Sequence, residues 1–109
     1  MDAPGGTLHS RSDVATPRAD HWVARLAAEV LGEQAIEEGV EEVAEEAGWT
    51  VLRLAGGSCA MTGRGDAVVL EASAPDAATL ARVQDAVGGL LERLAAAEGL
   101  RVRWERREG

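Results

Sequence analysis

Residues 49–73 read WTVLRLAGGSCAMTGRGDAVVLEAS, and this stretch decides the fold class. It contains three segments with the apolar, β-branched content of strands, at residues 49–55, 58–62 and 67–73. Gly56-Gly57 separates the first two segments, and the sequence GRGD at 63–66 separates the second from the third. Such short glycine-containing connections join antiparallel neighbours. The stretch therefore predicts a three-stranded antiparallel meander.

Helical periodicity lies on both sides of the meander. Upstream, Thr16-Pro17 resembles a helix N-cap with proline at the first helical position, and the apolar spacing predicts a helix over 16–31 that ends at Gly32. Downstream, residues 74–98 carry an apolar stripe at spacings of three and four and are followed by Gly99. The alternation over 100–105 predicts a last strand.

This order of elements predicts an α+β domain. We expect an antiparallel sheet of about four strands with two or three helices packed on one face. Residues 1–15 are rich in Gly, Ser and Pro and predict a flexible leader, with at most a few residues at a sheet edge. The predicted domain then spans 16–105, and 106–109 form a polar tail.

The stretch AIEEGVEEVAEEAG at 35–48 admits three interpretations: an acidic helix face, an acidic strand, or a carboxylate metal site. Its apolar residues recur at helical spacing, whereas alternation as a strand is poor, so periodicity favours a helix. The Glu pairs, represented by Glu37, Glu41 and Glu45, predict either a surface for a basic partner or a solvated face. A basic partner would bind in a salt-dependent way.

Composition excludes several classes of protein. The chain has 109 residues and a net charge of -8, and all eleven of its basic residues are Arg. An acidic chain without interleaved aromatic and basic residues is a poor nucleic-acid binder. No segment has the pattern of a signal peptide or a membrane span, and the single Cys fits a reducing compartment. We therefore predict a cytoplasmic protein that binds neither nucleic acid nor membrane.

Two sets of residues are candidates for chemistry. Glu29 and Glu33 lie one helical turn apart, and with His21 they suggest a divalent-metal site, the alternative being a solvated helix end. Cys59 follows the Gly56-Gly57 turn, so it is either an exposed reactive thiol or a small core residue. The motifs HExxH and CxxC are absent, as is the spacing of a Ser/His/Asp triad. Enzyme chemistry is therefore not favoured.

Several segments carry a resemblance to a known family: residues 50–54 with 56–59, residues 70–76, residues 80–84, residues 91–94 and residues 100–104. On these segments the chain resembles bacterial domains of unknown function, found alone or fused to siderophore-interacting flavoproteins. The resemblance implies a link to iron or siderophores. It also places Glu29, Glu33 and Leu90 where family members carry His, and it favours a strand for the acidic stretch.

The sequence thus predicts a small non-catalytic module that binds a protein partner or a small ligand. Two alternatives stay open. One is a metal-binding protein that uses Glu29, Glu33 and His21. The other is an enzyme or enzyme subunit with its pocket in a cleft between the sheet and the helices. Monomer and homodimer are both compatible with the sequence.

Overall fold

The structure is a computed structural model that describes residues 7–30, 40–54 and 56–107. The described part is an α+β fold built on one antiparallel sheet with the strand order β2-β3-β4-β5-β1-β6. The sheet therefore has six strands, where the sequence predicts about four. In chain order the elements are β1 (Leu8–Ala15), α1 (Ala19–Val30), β2 (Val40–Glu46), β3 (Trp49–Leu54), β4 (Gly57–Arg64), β5 (Ala67–Ala74), α2 (Ala77–Leu94), a 3-10 turn (Ala96–Glu98) and β6 (Glu105–Arg107).

The predicted meander is confirmed as β3, β4 and β5. Leu52 lies opposite Cys59, and Cys59 lies opposite Ala72, so the three strands are paired in continuous register. The helix predicted over 74–98 is shorter in the structure, at Ala77–Leu94, and its N-cap is Asp76, whose carboxylate accepts a hydrogen bond from the Thr79 N–H at 2.7 Å. This hydrogen bond lowers the pKa of Asp76, since it favours the charged carboxylate.

Both helices pack on the same face of the sheet, which we call the covered face. Gly63 approaches the start of α1 at Ala19, and Gly57 approaches Val83 of α2. These two glycines alternate in phase with the buried Cys59 and Met61 of the same strand. The core between the sheet and the helices is aliphatic except for Trp22, and its largest fully buried members are Leu26, Leu52, Leu54, Met61, Leu70, Leu80 and Leu91.

No described helix packs on the opposite side of the sheet, which we call the open face. Residues that lie opposite each other in neighbouring strands point to the same side, so the register defines this face. One cross-strand row consists of Ala44, Val51, Ala60, Glu71 and Arg11. These side chains are half-buried or exposed, whereas on β3, β4, β5 and β1 the residues on either side of them are buried.

The expectation of a flexible leader is wrong for residues 8–15, which form β1. This strand pairs with β5 along its whole length and with β6 at its start. Its covered-face positions include Ser10 and Ser12, both buried, so the alternation of the strand is not visible as an alternation of apolar and polar residues. The Gln84 amide donates a hydrogen bond to the Ser10 hydroxyl at 2.7 Å, which compensates part of the cost of burying it.

The predicted helix for the acidic stretch is wrong over Val40–Glu46, which is strand β2, and residues 35–39 lie outside the described residues. The register shifts between Val40 and Glu42, so that Val40 lies opposite Leu54 and Val43 lies opposite Leu52. A β-bulge inserts one extra residue into a strand. An apolar spacing of three, which looks helical in sequence, is therefore compatible with a bulged strand.

The last strand also differs from its prediction. Strand pairing begins only at Glu105, and residues 106–107 of the expected tail belong to β6. Residues 100–104 have no regular secondary structure but keep the expected alternation of half-buried and exposed side chains. The backbone N–H of Val102 donates to the Glu92 carboxylate at 2.8 Å, so a helix side chain replaces a neighbouring strand as its acceptor. None of the described helices is long and apolar enough to cross a membrane.

Candidate ligand-binding cleft

A cleft of about 460 Å³ lies at the end of the open face where β3 turns into β4. Several elements end or begin here: β3 and β5 end, β4 begins, and residue 7 precedes β1. The described residues around it combine polar side chains with small apolar ones and backbone: Thr7, Ala44, Val51, Arg53, Gly56, Gly57, Ser58, Ser73, Ala74 and Pro75. The cleft is thus formed by residues that are distant in sequence.

The polar groups of the cleft form one row across the sheet. Arg53 lies opposite Ser58, Ser58 lies opposite Ser73, and Ser73 lies opposite the exposed His9 outside the cleft. The two serine hydroxyls are 2.9 Å apart and share one hydrogen bond. Each hydroxyl has one proton, so after one proton is used between them the pair still has a proton to donate to a ligand.

The sheet and α2 approach each other closely at Gly57, on the covered face behind the cleft. A Cβ atom at this position would lie 2.6 Å from the Ser73 carbonyl oxygen and 2.9 Å from Val83 Cγ2. These distances are too short for any side chain to be accommodated without movement. Gly57 therefore holds β4 against β5 and α2, and this contact positions Ser58 beside Ser73.

The charge of the cleft differs from the charge of the chain. Arg53 is exposed, and among the described lining residues of the cleft it is the only one with a charged side chain. It makes no ion pair with any side chain that the structure describes, whereas Arg11, Arg18 and Arg25 each have a described carboxylate partner. The residue opposite Arg53 on β2 is Glu42, whose side chain is outside the described part.

A second cleft, of about 360 Å³, lies further along the open face between β1 and the C-terminal segment. Its described lining consists of two cations and two anions: Arg11, Asp13, Arg103 and Glu105. Arg11 donates to Asp13 at 2.8 Å and lies 3.5 Å from Glu71, and these carboxylates raise the pKa of the Arg11 guanidinium. Because its charges are internally compensated, this cleft has no strong preference for a charged ligand.

The residues predicted for a metal site are not brought together in the described structure. His21 and Glu29 both lie on α1, but eight residues of helix separate them by about 12 Å along the axis. The His21 ring packs edge-on against Trp22 at 4.7 Å between centroids, and Glu29 lies 4.0 Å from the Arg25 guanidinium. Glu33 lies outside the described residues. Within the described ranges no group of three His, Cys, Asp or Glu side chains is placed to hold a metal ion.

The acidic residues predicted to bind a basic partner are only partly described. Glu37 lies outside the described residues, and the side chain of Glu41 is likewise not described. Glu45 is exposed and lies opposite Thr50 at the edge of the sheet. Carboxylates on an edge strand discourage edge-to-edge association of sheets, which is a structural reason for their presence.

Cys59 lies in the core with no exposed surface. Burial raises the pKa of its thiol to about 12, because the charged thiolate is disfavoured away from water. Its thiol is 3.8 Å from the Ala60 carbonyl oxygen, a weak hydrogen bond. A thiol in this position is neither accessible nor ionised at neutral pH, so it does not have the properties of a nucleophile.

Glu98 forms the largest described polar cluster on the helical side of the molecule. Its carboxylate accepts hydrogen bonds from Thr16 Oγ1 at 2.9 Å, from Trp22 Nε1 at 3.1 Å and from the Arg18 guanidinium at 3.3 Å. The cluster connects the turn after α2 to the start of α1. All the donors serve the carboxylate itself, so the cluster has a structural role and does not form a ligand site.

Arg53, Ser58 and Ser73 carry no sequence motif, so they are absent from the predicted site residues. One signal in the sequence points to the hairpin that carries two of them. The meander predicts a hairpin about Gly56-Gly57, and in a tight hairpin the residues on either side of the turn lie opposite each other. A two-residue turn at Gly56-Gly57 would place Ser58 opposite residue 55, whereas in the structure Gly57 lies opposite Leu54 and Ser58 opposite Arg53. The sequence therefore locates the hairpin but neither this pairing nor the face of the sheet that lacks a covering helix.

Comparison with known proteins identifies the family of the chain. The family model described as "Uncharacterized protein conserved in bacteria (DUF2218)" matches residues 11–105. The chain belongs to this family. The DUF2218 match includes all of the helical layer and, within the cleft, Arg53, Ser58 and Ser73.

A solved relative has the same architecture. The NMR structure of PA4090 from Pseudomonas aeruginosa is 26% identical to the chain, with a TM-score of 0.68, and the match covers 90% of this chain and 95% of PA4090. No curated protein matches the chain. The comparisons therefore show the family and the fold.

Proposed function

We propose that this DUF2218 chain is a small non-catalytic module whose ligand binds in the cleft at the Gly56-Gly57 end of the open face. The observation that carries the proposal is the convergence of Arg53, Ser58 and Ser73 in a concave space of about 460 Å³. Binding sites for small molecules are concavities of roughly 300–1,000 Å³ in which a few polar groups fix the orientation of the ligand. The cleft has the size of such a site and a few convergent polar groups.

The composition of the cleft supports binding without chemistry. General acid–base catalysis requires a group that exchanges a proton near neutral pH, and the described lining contains no His, Cys, Asp or Glu. Ser58 and Ser73 are hydrogen-bonded to each other, and no described hydrogen bond joins Ser73 to His9, the base that lies opposite it, so neither serine is activated as a nucleophile. The groups of the cleft are suited to donating hydrogen bonds to a ligand.

A link to iron or siderophores is a narrower form of this proposal. It depends on the resemblance of the sequence segments to domains that are fused to siderophore-interacting flavoproteins, and the cleft is where such a ligand would bind. The metal-binding alternative with Glu29, Glu33 and His21 has no comparable support. His21 and Glu29 lie about 12 Å apart along α1, too far to bind one metal ion together. Glu33 lies outside the described residues. Cytoplasmic location likewise stays a proposal from the use of a single Cys.

Amide NMR of the labelled protein with a chemically diverse fragment library tests the proposal. We expect bound fragments to shift the amide signals of residues 51–58, 73 and 74. A matched pair of substitutions on the open face provides the control. Ala44→Phe fills the cleft and should abolish these shifts, whereas Ala67→Phe lies at the other end of β5 and should leave them unchanged. Fragments that bind only elsewhere, or that still bind to Ala44→Phe, would contradict the proposal.

A further inference from the structure

We infer that the ligand of the cleft is a small organic anion whose carboxylate or phosphate group is bound by Arg53 and the Ser58–Ser73 pair. This inference rests on the proposed function and adds to it the chemical class of the ligand.

The charge of the described cleft lining favours an anion. The chain has 19 acidic residues against 11 basic ones, so an arbitrary concavity on its surface is expected to be lined by carboxylates. The described lining of this cleft instead contains one Arg and no carboxylate. The second cleft on the same face, with its two acids and two arginines, shows the usual compensated arrangement. Among the described residues, the cleft is therefore a local region of positive charge, which favours an anion.

The Arg53 guanidinium and the Ser58–Ser73 pair have unused hydrogen-bond donors. The guanidinium of Arg53 has five N–H donors and no acceptor, and no described side chain forms an ion pair with it. The Ser58–Ser73 pair has one further proton to donate. A carboxylate or phosphate has several acceptor sites and no competing positive charge, so it can use both donor groups together.

The spacing of Arg53, Ser58 and Ser73 suits a single anionic group. Arg53 and Ser58 are directly opposite each other in neighbouring strands, and Ser58 and Ser73 are directly opposite in the next pair. Opposite residues in antiparallel strands have Cβ atoms about 5 Å apart. The guanidinium and the hydroxyl pair are therefore close enough to contact one anionic group from two sides, while Val51 and Ala44 lie beside them for the apolar part of the ligand.

The test is a titration of the full chain with succinate, inorganic phosphate and the neutral diamide succinamide, followed by amide NMR at low salt. We expect succinate or phosphate to shift the amide signals of residues 51–58, 73 and 74, and succinamide to have a much weaker effect. The comparison of succinate with phosphate shows which anionic group is preferred. Added salt should weaken the binding, because screening reduces the attraction between the anion and Arg53.

Substitutions assign the binding to the cleft. Arg53→Gln should weaken anion binding by about tenfold or more, the usual effect of losing a charged hydrogen bond. Arg53→Lys keeps the charge and should retain part of the affinity. Ser58→Ala should have a smaller effect. Arg25→Gln removes an exposed Arg from α1 and should leave the affinity unchanged.

The possible failures are distinguishable. If neutral fragments bind in the cleft and neither anion does, or if Arg53→Gln and the parent protein bind the anions equally, the inference about an anion is overturned and the proposed function stands. If no compound of any charge shifts the cleft amides, the proposed function fails, and the inference fails with it.

Discussion

The two faces of the sheet are made by the same strands but have opposite roles. On the covered face Leu52, Met61 and Leu70 have no exposed surface and pack against the helices. On the open face the neighbouring residues Arg53 and Glu71 are exposed, and the serine pair lies in the cleft. The stability of the fold therefore depends mainly on one face, which leaves the other free to carry groups that bind a ligand.

The division between the faces does not follow residue polarity at every position. Val69 belongs to the open face, opposite Thr62 and Asp13, but it is only 2% exposed. On the covered face Ser10 and Ser12 are buried, and the hydroxyl of Ser12 has no described hydrogen-bond partner. An unpaired buried hydroxyl costs free energy, so the covered face tolerates some local instability.

The largest expected effect comes from the same substitution made on each face. Val68→Ala removes two methyl groups from a covered-face site with no exposed surface and should lower the free energy of unfolding by about 2 kcal/mol. Val51→Ala on the open face, where the side chain is half-buried, should cost less than about 1 kcal/mol. Urea unfolding of both variants measures the difference. Equal losses would show that the open face is also covered.

A second prediction uses pH to probe the covered face. The pKa of Cys59 is raised from 9.0 to about 12 in the folded chain, so its contribution to stability is complete below pH 9. As the pH rises from 9 towards 12, the unfolded chain ionises its thiol first. The free energy of unfolding should then fall by about 1.4 kcal/mol per pH unit.

Because of the composition of the chain, this loss of stability at alkaline pH is specific to Cys59. The chain has no Tyr and its basic residues are all Arg, so no other type of side chain is expected to titrate strongly between pH 9 and 11. Urea unfolding at pH 8 and at pH 10 measures the loss, and Cys59→Ala should remove most of it. A loss of the same size in Cys59→Ala would show that the thiol is not the cause.

The smallest expected effect tests how far the covering layer extends. Gly88 and Gly89 are neighbours on α2, but a Cβ at Gly88 would lie 3.2 Å from Trp104 Nε1 and 3.3 Å from Val102 Cγ1, whereas one at Gly89 would meet only the Arg93 guanidinium, at 3.7 Å. Gly89→Ala should stabilise the protein by about 0.5–1 kcal/mol, because Ala favours a helix. Gly88→Ala should lack this gain or lower stability by about 1 kcal/mol.

Thermal unfolding of the two variants compares them directly. A higher Tm for Gly89→Ala and an unchanged or lower Tm for Gly88→Ala would support packing of the C-terminal segment on α2. The same increase in both would contradict it, since the two positions differ mainly in their contact with Val102 and Trp104.

The candidate site shows how far sequence prediction reaches here. The hairpin near Gly56-Gly57 is predictable, but a turn at these two residues would place Ser58 opposite residue 55, so its pairing with Arg53 is seen only in the structure. Ser73 joins them only through the pairing of β4 with β5, and Ala44 only because β2 is a strand. The His21, Glu29 and Glu33 hypothesis depends on spacing along one helix, which says nothing about the elements packed around it.

The sequence by itself determined the meander of β3, β4 and β5, the two helices and the α+β class, because each depends on local patterns of apolar residues, glycines and caps. Only the tertiary structure decided that β1 and β2 are strands. Buried serines conceal the alternation of β1, and a bulge gives β2 a helical spacing. In both segments the partner strands supply the backbone hydrogen bonds, and that contribution comes from residues distant in sequence.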